Sequence, residues 1–258
     1  MLLLLSPAKT LDYDTPIWYS EATEPQFLVE SEKIAARLKK KSVGQLAKLM
    51  NLSKDLAALN VERNQQWQVP FIPEETRPAI FAFKGDVYLG FDVHNQLENE
   101  DLQYAQEHLR ILSGLYGILR PLDNMMPYRL EMGTALKVGR PNNLYQFWGS
   151  KIAESLNRDL EKQSSKTVVN LASQEYWKAV DKKVLNAEVI TPEFKDWKNG
   201  QFKMISFFAK KARGTMARYI TTQRIDTMEG LLEFNEDGYS FNESLSAPMN
   251  PVFTRKQA

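Results

Sequence analysis

Two spacings of apolar positions run along the 258-residue chain, one of adjacent or alternating residues and one of three to four. Leu2 to Leu5 form a continuous apolar run, which predicts a short strand buried on both faces, and Ser6-Pro7 ends it. Phe27, Ile34 and Leu38 then share one helical face, with Lys39 to Lys41 at its end where the helix dipole favours cations. Ser42 and Ser53 each precede a helical stretch and predict two capped helices joined at residues 50–52. AIFAFKGDVYLGF at 79–91 reads as an apolar strand interrupted by Lys84-Gly85-Asp86, and residues 100–112 as an amphipathic helix through Leu102, Ala105 and Leu109. Residues 143–162 read as one helix with Phe147, Trp148, Ile152, Leu156 and Leu160 on its buried side. KTVVNLAS at 166–173 repeats the pattern of the first strand, apolar and then polar. Two strands flank Asn199-Gly200, a strong hairpin signal, and the second runs into a basic helix near 210–224. Short strands and acidic turns close the chain. The irregular alternation and the hairpin predict an α+β fold, one compact domain over 1–258 with a mixed sheet surrounded by helices.

Composition narrows the function. The chain is 43% hydrophobic and 25% charged, as expected of a globular protein able to bury a sizeable core. It has no cysteine and two histidines, His94 and His108, in no metal-ligand spacing, so thiol chemistry, iron–sulfur clusters and zinc sites of the usual kind are excluded and no cofactor or metal is expected. The apolar start is too short for a signal peptide or a membrane span, which predicts a cytoplasmic protein with no membrane partner. Net charge is only +1, but its distribution is polarised. Residues 33–63 hold eight lysines and arginines against Asp55 and Glu62; residues 203–224 hold six and no acid; residues 74–108 hold eight acids against Arg77 and Lys84. Two basic clusters suit a polyanionic partner.

The segment 42–63 resembles a degenerate helix-hairpin-helix, the module that holds nucleic-acid backbone without reading sequence. Leu49, Leu52 and Ala57 match its apolar positions, while Asn51 and Ser53 stand where glycines are usual. A capped helix start still aims N–H groups at a phosphate.

The densest chemistry lies at 110–133, RILSGLYGILRPLDNMMPYRLEMG, with three arginines beside Asp123 and Glu131. Charges at this density beside apolar residues mean either a site or a salt-bridged scaffold. No phosphate loop, dinucleotide fingerprint, nucleophile elbow or zinc helix occurs. What remains is Lys, Arg, Asp, Glu and Tyr near strand ends, suited to anion recognition or acid–base chemistry.

Together, SPAKTLDY at 6–13, FKGDVY at 83–88, LRILSGLYGILRPLDNMMPYRLEMG at 109–133, LYQFWG at 144–149, NLAS-EY at 170–176 and ISFFAKKARGTMARYI at 205–220 resemble the YaaA family of bacterial peroxide stress resistance proteins. The resemblance covers essentially the whole chain. It implies a cytoplasmic single-domain α+β protein that limits DNA and protein damage during hydrogen peroxide stress by lowering unincorporated iron, and it brings no established catalytic residues. Two mechanisms are compatible with the residues. In the preferred one, double-stranded DNA or another nucleic acid is held by its backbone on Lys41, Lys48, Lys54 and Arg63 and on Lys210, Lys211, Arg213 and Arg218, with a monomer favoured. In the alternative, an enzyme acts on a nucleotide, nucleic acid or small anionic metabolite in one cleft built from Ser6, Lys9, Lys84, Asp86, Tyr116, Arg120, Arg129 and Glu131, with Lys211 beside them.

Overall fold

The computed structural model describes residues 1–256. Its centre is the strand Leu2–Leu5, whose four leucines are entirely inaccessible to solvent. A strand covered on both faces needs no polar alternation, and the unbroken leucine run is the sequence trace of that burial. It pairs in parallel with Leu109–Ser113 on one side (Leu3 opposite Leu109) and Thr167–Asn170 on the other (Leu2 opposite Val168). Gly117–Leu119 adds an antiparallel edge beyond Leu109–Ser113, and Glu188–Ile190 a parallel edge beyond Thr167–Asn170, giving a mixed five-stranded sheet.

A second, four-stranded mixed sheet runs Gln201–Lys203, Glu193–Lys198, Val252–Arg255, Ser240–Phe241. Its hairpin turns at Asn199 and Gly200, both at positive φ (52° and 81°), as the predicted Asn-Gly signal requires. Phe194, Phe234, Tyr239 and Phe253 pack on its inner face with ring centroids 5.4–6.0 Å apart. One contiguous apolar core extends from Met1 to Phe253, so the α+β single-domain expectation holds. Among the described residues no helix is long and apolar enough to cross a membrane.

Four predicted elements differ in the structure. Residues 79–91 form no long strand: a helical turn Ala79–Ala82, the two-residue strand Phe83–Lys84 and the helix Asp86–Phe91 follow one another. Gly85 breaks the backbone between them, and local periodicity could not separate a buried helix from a buried strand. The 100–112 helix ends at His108, and Leu109 begins a strand because its register with Leu3 in the sheet outweighs continuation of the helix. The 143–162 helix is two, Leu144–Trp148 and Lys151–Leu160, split where Gly149 takes positive φ. The apolar run at 205–209 is the first turn of the long helix Ser206–Gln223 rather than a strand end, and Gln201–Lys203 stops earlier.

The helix Ser206–Gln223 lies against the short helix Asp86–Phe91, the second sheet and the central strand. A two-residue pairing sets Thr10 opposite Lys84 and ties the loop after the central strand to the segment entering Asp86–Phe91.

Candidate functional site

A cleft of about 500 Å3 opens at the carboxyl ends of Leu2–Leu5 and Thr167–Asn170. From these adjacent strands the chain proceeds to neighbours on opposite sides of the sheet, the arrangement that leaves a crevice between their ends. The two strand ends are pinned together there. Leu171 N–H donates to the Leu4 carbonyl (3.0 Å), and Ser173 N–H donates to Ser6 Oγ (2.8 Å). Tyr88, buried in the wall, donates its phenol to the Ser6 carbonyl (3.0 Å); its burial pushes the phenol pKa well above the ordinary value. Ser6 is therefore bound from two sides before any ligand arrives.

Around this floor stand Lys9, Lys84, Asp86 and Glu131, all predicted from sequence, with Lys210 and Arg213 from the long helix. Lys9 Nζ lies 2.9 Å from Glu131 Oε1, and Arg129 approaches the same oxygen at 3.8 Å. Arg129 lines a small adjoining recess of about 60 Å3 together with Lys9 and Glu131. Its Nε is buried without a hydrogen-bond partner among the described residues. Lys84 Nζ is held 3.0 Å from Asp12 Oδ2. Asp12 is kept far below the usual carboxylate range first by the Thr15 N–H and also by Lys84. Asp86 occupies the first turn of its helix, where the dipole favours a carboxylate.

Sequence reasoning missed Glu175, which faces the cleft and accepts from Gly133 N–H at 2.8 Å. Its signal was the same as that of Ser6 to Thr10: polar residues just past a buried parallel strand. Lys210 and Arg213, assigned to a surface cluster, also belong to the cleft.

Three cleft candidates lie elsewhere, and one of them, Lys211, lines neither the cleft nor its recess. Tyr116 is fully buried, and its phenol oxygen accepts from Trp67 Nε1 (2.9 Å) and Met126 N–H (3.1 Å), which makes it part of the core. Arg120 grips the buried Asp123 through Nε (3.0 Å) and Nη2 (2.8 Å), closing the 120–123 turn. Arg110, in the same stretch, pairs with Asp159 at 2.7 Å. The density of charge at 110–133 is thus mostly scaffold, and only Arg129 and Glu131 reach the cleft.

The proposed nucleic-acid contacts divide similarly. The helices Val43–Met50 and Lys54–Gln66 are capped by Ser42, in a reciprocal box with Gln45, and by Ser53. Asn51 turns between them with left-handed backbone at φ 52°. Lys48 and Lys54 are exposed, and Lys41 is half-buried. Arg63 is half-buried; burial lowers its pKa, Tyr13 offsets this in part, and the charge of Arg129 lowers it further. In the second cluster Lys211 sits 3.4 Å from Asp237. Arg218 bridges the Gly90 carbonyl (2.9 Å) and Glu236 (2.5 Å), so it holds the fold together.

Fold and site define an α+β protein with a lysine- and arginine-bearing cleft at the ends of its central parallel strands. The chain belongs to the peroxide stress protein YaaA family, whose model matches residues 1–245. It is also 52% identical over 257 residues to a UPF0246 protein of Aliivibrio fischeri, spanning 100% of this chain and 99% of the relative. A UPF0246 protein of Saccharophagus degradans is 52% identical with 100% of both chains covered, and one of Cellvibrio japonicus is 50% identical over 100% of this chain and 99% of its own.

Proposed function

We propose that the protein serves in hydrogen peroxide stress by binding nucleic-acid backbone without sequence readout, shielding DNA where iron would otherwise generate radicals. A lowering of unincorporated iron in the cytoplasm is the accompanying effect that the family resemblance suggests. The observation that carries the binding reading is Arg63, a half-buried guanidinium whose charge is opposed by that of Arg129. It has no hydrogen bond and no carboxylate within 4 Å among the described residues, while Arg129 reaches one carboxylate oxygen, Glu131 Oε1, only at 3.8 Å. Arginine stays protonated in such places, so an anion relieves both the repulsion and the burial. Arg63 belongs to the capped helix pair and Arg129 to the cleft recess, so a phosphate between them would join both surfaces to one strand.

Fluorescence anisotropy of a labelled duplex against rising salt tests this. Each phosphate neutralised contributes a slope of about −0.9 in log K against log salt, so replacing Lys48, Lys54 and Arg63 with Ala should flatten it by roughly two to three units. Absent binding at low salt, or an unchanged slope, would sink the reading.

A second reading, an enzyme acting on a nucleotide, nucleic acid or small anionic metabolite, is favoured by one arrangement. Ser6, Lys9, Lys84, Asp86 and Glu131 converge on a cavity within the volume range of small-molecule sites. Its carboxylates and lysines would supply proton transfer while the arginines hold phosphate.

A further inference from the structure

A second cavity, of about 800 Å3, adjoins the cleft, and Arg213 lines both. Among the described residues, the Arg213 guanidinium has no hydrogen bond to a protein acceptor and no carboxylate within 4 Å. Its backbone is fixed, because it comes from the turn of the long helix next to Gly214, where that helix abuts Asp86–Phe91. Burial lowers its pKa, offset in part by Glu193. A partly buried guanidinium with no protein acceptor on its five N–H donors is placed to take an anion, and it fits two phosphate oxygens at once.

The second cavity carries groups of a different kind. Trp177 and Tyr145 present aromatic rings, and the Tyr145 phenol is fixed by donating to the Glu175 carbonyl at 3.0 Å. Gln174 and Asn250 bring side-chain amides with a donor and an acceptor each, and Asn170 brings its amide donor, its Oδ1 accepting from the Ala172 N–H at 3.2 Å. Asn170 Nδ2 and Asn250 Nδ2 reach only Thr191, at 3.5 and 3.4 Å, and so are free to find better partners. Aromatic faces beside amides are suited to a nucleobase, whose face stacks and whose edge mixes donors and acceptors.

We infer that the two cavities form one bipartite site for a nucleoside phosphate, with the phosphate on Arg213 and the base in the second cavity against Trp177 and Tyr145. The nucleotide is either free or an unpaired residue of a strand; the inference rests on the nucleic-acid reading only for the second source.

The experiment uses three probes on the full chain: 2-aminopurine deoxyriboside 5′-monophosphate, a duplex with a single unpaired 2-aminopurine, and the same duplex fully paired. Binding of either of the first two should change 2-aminopurine fluorescence, and Arg213→Gln should weaken that binding by about tenfold or more. Arg213→Lys, which keeps the charge without the fork, should lose less and covers the case of a Gln variant that does not fold. A response to the free nucleotide alone assigns the site to free nucleotides. A response to the unpaired duplex alone assigns it to a strand. No response to either, or equal affinity in wild type and both Arg213 variants, overturns the bipartite site. Paired-duplex binding without any 2-aminopurine response removes this inference and leaves the backbone reading standing. Free-nucleotide binding without duplex binding does the reverse.

Discussion

Gly90 and Gly214 meet where the Asp86–Phe91 helix crosses the Ser206–Gln223 helix, with no room for a side chain on either. A Cβ at Gly214 would lie 1.7 Å from the Val87 carbonyl oxygen, and one at Gly90 would lie 2.1 Å from that of Lys211. The obstacles are backbone atoms, which cannot swing aside as a flexible side chain would. This contact sets the separation between Asp86 and Val87 on one side of the cleft and Lys210 and Arg213 on the other. The cleft's width is therefore a consequence of two missing methyl groups.

Gly214→Ala should destabilise the protein by about 3 kcal/mol or more, at the upper end of overpacking effects, and should weaken ligand binding in whatever fraction folds. Gly44→Ala is the contrast. Gly44 lies in the Val43–Met50 helix with nothing within 4 Å of an added Cβ, so Ala there should stabilise by about 0.5–1 kcal/mol. Urea unfolding of both variants checks the opposite signs.

Asp123→Ala should cost about 2–3 kcal/mol, because this buried carboxylate accepts from Arg120 N–H, the Arg120 guanidinium and Thr23 Oγ1. Anion binding by the folded protein should be unchanged. A selective loss of binding with stability intact would return Arg120 to the functional site.

Glu131→Gln should tighten binding of phosphate backbone by about two- to tenfold at low salt, and less at high salt. The change frees Lys9 and Arg129 from the carboxylate they share. Anisotropy titrations of wild type and variant on the same duplex give the ratio, and weaker binding would mean that Glu131 positions those cations rather than competing for them.

Stability should fall on acidification through His108. The imidazole stacks on Tyr104 at 3.9 Å, its Nδ1 is 3.0 Å from the Met1 carbonyl, and burial lowers its pKa. The unfolded chain takes up this proton near pH 6.5 while the folded protein still resists it. The contribution is thus complete above about pH 6.5 and declines as pH drops toward the lowered folded value. In His108→Gln, urea midpoints between pH 7 and pH 5 should vary less than in wild type.

Local signals in the sequence are enough to place the central strand, the two serine-capped helices and the Asn-Gly hairpin. Each is settled by residues adjacent in the chain: a leucine run with no polar break, a cap hydroxyl three residues from its N–H, a dipeptide that tolerates positive φ. The polar residues after the first buried strand likewise mark Ser6 and Lys9 as cleft residues, since parallel strands expose their ends at a crevice. Only the tertiary structure separates the arginines. Arg110, Arg120 and Arg129 look alike in one 24-residue stretch, yet Asp159, 49 positions away, claims the first, while Asp123 turns back on the second. The third makes only a 3.8 Å contact with Glu131, on an oxygen it shares with Lys9, and feels the charge of Arg63 from the helix Lys54–Gln66. Whether a charge is scaffold or site depends on which opposite charge lies within about 4 Å of it. For Arg110 that partner comes from a segment far away in sequence. For Arg120 and Arg129 only the folded backbone decides that Asp123 comes to 2.8 Å while Glu131 stays at 3.8 Å.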